Sequence, residues 1–61
     1  MKPQCKLIGE DGNIFNLVSI ASRTLKKAGY KEQAKELQSE VFKSGSYEEA
    51  LNIISQYVEI E

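Results

Sequence analysis

The chain has no histidine, no tryptophan, one cysteine and one proline among its 61 residues. Each scarcity removes a class of explanation. One cysteine cannot close an intramolecular disulfide. Without histidine, a zinc site would rest on Cys5 and carboxylates alone, a poor donor set for that metal. The same lack leaves Cys5, Ser19, Ser22 and Thr24 without the base that usually activates a nucleophile. Cys5 is therefore expected to be a small buried apolar group. No apolar run approaches the roughly 18 residues of a membrane span. Met1-Lys2-Pro3-Gln4 is not followed by the apolar core of a signal peptide. A lone thiol suits a reducing compartment. The expectation is a cytoplasmic protein with no membrane segment and no cofactor.

At 41% hydrophobic and 28% charged residues, the composition is that of a folded chain rather than a disordered one. A domain of this size buries only about 60% of its unfolded surface, and its core supplies about 3–5 kcal/mol. With disulfide and metal staples excluded, efficient helix packing or association with a second copy must supply the rest. The net charge of −1 hides an asymmetry. Residues 1–31 sum to +4 and residues 32–61 to −5. Either the halves attract each other within one fold, or the basic half presents a face to an anionic partner.

Residues 4–9, Gln4-Cys5-Lys6-Leu7-Ile8-Gly9, roughly alternate and predict a short strand. Gly9-Glu10-Asp11-Gly12-Asn13 punctuates the chain, with Asp11-Gly12 as the turn dipeptide and Asn13 as a helix N-cap. A first helix is predicted over residues 14–28. Its stripe is Ile14, Leu17, Val18, Ala21, Leu25 and Ala28, with Phe15 and Ile20 on its flanks. Gly29 at C′ would pair Leu25 with Tyr30 in a Schellman ending. A second helix is predicted over 31–44, with Tyr30, Ala34, Leu37 and Val41 inward and Phe42 at the edge. Ser46-Tyr47-Glu48-Glu49 reads as a capping box opening a third helix over 47–56. From Tyr57 the period changes from 3.6 to 2, which predicts a closing strand through Val58 and Ile60.

The order strand, helix, helix, helix, strand predicts a single α+β domain. Its terminal strands pair as a two-stranded sheet, covered by a three-helix layer that rests on Cys5, Leu7, Val58 and Ile60. Two strands alone are marginal in water. Both would also be sheet edges with unpaired backbone groups. Edge pairing between copies predicts a homodimer; the alternative is a monomer guarded at its edges by Lys6, Glu59 and Glu61.

The run Lys6-Leu7-Ile8-Gly9-Glu10-Asp11-Gly12-Asn13-Ile14-Phe15 carries the pattern K-L-x-G-x-D-G-N-x-F. A basic helix ending Leu25-Lys26-Lys27-Ala28-Gly29 follows it, and an acidic-aliphatic tail, Tyr57-Val58-Glu59-Ile60-Glu61, closes the chain. Together these resemble a family of small uncharacterised phage and prophage proteins. The likeness is most specific in residues 6–15 and vague over 31–50. It implies a mobile-element origin, action in the host cytoplasm and no assigned catalytic residues.

Three constellations are candidates for binding. Asp11, Gly12 and Asn13 precede a helix whose free amides resemble an anion cradle. Glu10 and Asp11 oppose a phosphate there, and two carboxylates fall short of a calcium site. Arg23, Lys26 and Lys27, with Lys31 beyond, form a basic patch that contacts phosphates or lies as a solvated helix face. A pI near 5.4 argues against a nucleic-acid partner. Glu32, Glu36 and Glu40 share one helix face, either solvated or docked to a basic surface. The expected function is that of a non-enzymatic binding protein acting on a host protein by protein–protein contact. The alternative is a sponge for an anionic small molecule or nucleotide, held between subunits by Arg23, Lys26, Lys27 and the Asp11–Asn13 turn. A nucleic-acid-binding accessory protein is the third and weakest reading.

Overall fold

In the computed structural model, which describes residues 1–61, the two ends of the chain lie side by side as β1 (Gln4–Cys5) and β2 (Glu59–Ile60). The pair is parallel, with Gln4 opposite Glu59 and Cys5 opposite Ile60. Hydrogen bonding continues past the strands. The Glu59 amide donates to the Pro3 carbonyl at 2.8 Å and the Glu61 amide to Cys5 at 2.9 Å. The Glu61 carbonyl accepts from the amides of Leu7 and Ile8 at 2.7 and 3.0 Å. Between the strands run α1 (Ile14–Lys27), α2 (Lys31–Phe42) and α3 (Tyr47–Tyr57). This is the β-α-α-α-β arrangement expected of the sequence. No helix is long and apolar enough to cross a membrane.

The first strand is shorter than the alternation of residues 4–9 suggested. Leu7 to Glu10 close a turn in which the Glu10 amide donates to the Leu7 carbonyl at 3.1 Å. Gly9 supplies the left-handed backbone (φ +94°), and Gly12 does not. The sharp reversal therefore sits two residues before Asp11. A glycine at φ near +90° avoids the Cβ clash that other residues meet there.

Asn13 caps α1, its side chain accepting from the Phe15 amide at 2.9 Å. At the other end Gly29 (φ +91°) makes the Schellman ending. The Tyr30 amide donates to the Leu25 carbonyl at 2.8 Å and the Gly29 amide to Lys26 at 3.1 Å. Gly29→Ala is therefore expected to cost about 1–2 kcal/mol, read as a lowered urea midpoint with an unchanged m-value. The second helix stops at Phe42, two residues short of the expected Ser44, because the Ser44 hydroxyl and amide both turn back to the Val41 carbonyl. The third runs one residue further than expected, to Tyr57. Its box is slightly displaced: Ser46 accepts from the Glu49 amide at 3.1 Å, but the Glu49 carboxylate reaches the Gly45 amide rather than the cap itself.

The core is one cluster of Cys5, Leu7, Leu17, Ala21, Leu25, Ala34, Leu37, Ile54 and Val58. Helices α1 and α3 contact the ribbon, and α2 packs across both of them. Ile60 departs from the expected inward face. It is 37% exposed, whereas Val58, two residues earlier, is fully buried. One buried side chain is polar. Ser22 accepts from Gln38 Nε2 at 2.7 Å, a bond that joins α1 to α2. Cys5 is a buried free thiol that accepts from the Thr24 hydroxyl at 3.5 Å, in keeping with its expected packing role.

Candidate functional site

The turn before α1 is wired to itself. Asp11 Oδ1 accepts from the Asn13 amide at 2.9 Å, and the Asp11 carbonyl accepts from Asn16 Nδ2 at 2.9 Å. The Tyr47 hydroxyl donates to the Gly12 carbonyl, tying the start of α3 to this turn across 35 positions of sequence. The amides of Asn13 and Phe15 are thus already satisfied by side-chain oxygens, and the Asp11 and Asn13 side chains are spent holding the turn. This removes much of what an anion cradle needs. Tyr47→Phe is expected to cost about 1 kcal/mol and to speed amide exchange in residues 10–13 while leaving α2 unchanged.

Arg23, Lys26 and Lys27 are all exposed on the last turns of α1. At 1.5 Å per residue they stand about 15–21 Å from Asn13. Within one chain, then, the fold does not bring the basic residues to the Asp11–Asn13 turn. The side chains that donate hydrogen bonds are those of Lys2, Asn16, Thr24, Gln38, Ser44, Tyr47 and Ser55, and none of these bonds joins a cation to a carboxylate. The basic half is not neutralised by such pairs with the acidic half. The α2 carboxylates face elsewhere. Glu40 and Glu36 lie near Tyr57, whose phenol is held above its ordinary pKa chiefly by burial and then by these two charges. No three metal-ligating side chains converge anywhere in the fold.

The most developed concavity lies where the start of α1, the end of α2 and the start of α3 meet. It is a groove of about 550 Å³ whose apolar lining is Ile14, Phe15, Val18, Val41, Phe42, Tyr47 and Ala50. Short polar groups, among them Ser19, Gln38 and Ser46, complete it, and no charged side chain lines it. Phe15 is 71% exposed and Phe42 80% exposed, so two large rings stand at its rim. The sequence signal for this site was faint. Phe15 and Phe42 were visible only as residues at the edges of two separate apolar stripes. What joins them is the packing of α1 against α2. Compared with known proteins, the chain matches no family model, no curated protein and no solved structure.

Proposed function

We propose that this protein is a non-enzymatic binding module that works by protein–protein contact, taking an apolar segment of its partner into the groove between the three helices. The observation that carries this reading is the pair of outward rings, Phe15 and Phe42, at the rim of an uncharged apolar groove. Large exposed aromatic side chains bring a small domain little burial and a cost in solubility. Contiguous ones mark contact surfaces. The resemblance in residues 6–15 suggests a mobile-element protein, and so a host protein as the partner.

An anionic small molecule held between two copies is the alternative. It draws support from the cations of α1, which form no hydrogen-bonded pairs, but it needs an intersubunit arrangement to unite them with the Asp11–Asn13 turn.

The test is selection of binders from a random peptide library, with the contact mapped by amide chemical shifts. Perturbations clustered on residues 14–19, 38–42 and 45–50, and lost in the Phe15→Ser/Phe42→Ser double variant, support the reading. Binders that map to the ribbon edges or to Arg23–Lys31 alone overturn it. A nucleotide panel that raises the melting temperature, with Arg23→Glu/Lys27→Glu abolishing the rise, favours the alternative.

A further inference from the structure

The groove lies toward one end of the line along which α1 and α2 pack. Residues spaced i, i+4, i+7 and i+11 share one helix face. On α1 that row is Phe15, Ser19, Ser22 and Lys26. On α2 the corresponding row is Lys31, Lys35, Gln38 and Phe42. The bond from Gln38 Nε2 to Ser22 Oγ at 2.7 Å sets the two rows against each other, running in opposite directions. Phe15 and Phe42 therefore flank one end of the seam; toward the other lie Lys35, about 10 Å away by helix rise, and Lys26 and Lys31, about 16 Å away. All three lysines are exposed. Neither row contains a carboxylate; of the three α2 acids, Glu36 and Glu40 lie near Tyr57, and Glu32 stands in the first turn beside Lys31.

We infer that the partner segment is an amphipathic helix carrying carboxylates at one end, laid along the α1–α2 seam with its apolar anchors between Phe15 and Phe42. The inference rests on the groove reading and adds the partner's chemistry to it. Three turns of helix cover the seam, so anchors at i and i+4 fill the groove while acidic residues two to three turns away meet the lysines. This is a helix-in-groove contact with charge setting its direction. The groove is a concavity between helices, and so suits a helix better than a flat lipid surface.

The test takes the peptides selected above and resynthesises each with its terminal turn as glutamate, glutamine or lysine. Binding is read by fluorescence polarisation. The glutamate form is expected to bind about tenfold tighter than the glutamine form, with the advantage shrinking as salt rises. Lys26→Glu with Lys35→Glu, both exposed, should reverse the preference toward the lysine form; circular dichroism verifies that the fold is kept. Equal affinity of the three forms, with the Phe15→Ser/Phe42→Ser loss intact, overturns the acidic-helix inference and leaves the groove reading standing. Peptides that fail to map to the groove overturn both. So does tighter binding to phosphatidylglycerol vesicles than to any peptide. A dimer in light scattering that the same double variant dissociates assigns the groove to a second copy and overturns the inference.

Discussion

Leu37→Ala is expected to leave the chain largely unfolded at 25 °C. Leu37 is fully buried in the single core cluster, on the helix that locks α1 to α3. Truncating a buried leucine to alanine costs about 2–5 kcal/mol, the lost transfer energy plus the cavity left behind. A domain this small has about 3–5 kcal/mol in total. In a larger protein the same change would lower a melting temperature; here it is expected to remove the transition. The measurement is thermal and urea unfolding by circular dichroism. Phe42→Ala, five positions along the same helix at an 80% exposed site, is the control and should unfold near the wild-type midpoint. Equal losses in the two variants would mean that α2 is held by something other than its inward stripe.

Ending the chain at Val58 is expected to cost about 2–4 kcal/mol. Besides those between the paired strand residues, four backbone hydrogen bonds depend on residues 59–61: those between Glu59 and Pro3, between Glu61 and Cys5, and from Leu7 and Ile8 to Glu61. Each is worth about 0.5–1.5 kcal/mol net. Cys5 and Leu7, buried now, would also lose the backbone that holds them against α1. Urea unfolding with hydrogen exchange checks the expectation: the amides of Leu7 and Ile8 should lose protection first. Glu59→Gln with Glu61→Gln keeps the backbone bonds and should change little.

Much of this architecture was legible because local signals agreed with one another. Asn13 and Gly29 bracket a 3.6-period stripe, and Ser46 with Glu49 opens the third helix; the structure keeps each of these. The change of period at Tyr57 found the last strand. Alternation alone carries no strand direction, since Val58 and Ile60 read the same either way. The direction follows from the element order. Three helices, each running back against its predecessor, return the second strand parallel to the first. The choice between Gly9 and Gly12 as the left-handed residue was not local either. It was settled by the pairing of the Leu7 and Ile8 amides with Glu61, which fixes where the chain must turn.

The site was less legible than the fold. Arg23, Lys26 and Lys27 stand out in sequence because like charges cluster within one helix. Phe15 and Phe42 lie far apart along the chain, and each looks like the ragged edge of a core stripe until α1 and α2 come together. The lysines of the seam were visible in part, but Lys35 sits among glutamates, and only helical spacing with the Ser22–Gln38 bond separates it from them.

The parallel ribbon has a mechanical consequence. Tension applied between Met1 and Glu61 draws β1 backward and β2 forward, so its bonds are loaded lengthwise and must rupture nearly together. An antiparallel pair gripped at adjacent ends would peel one bond at a time. A machine dragging this molecule by its tail would thus meet its greatest resistance at the outset, before any helix has been disturbed.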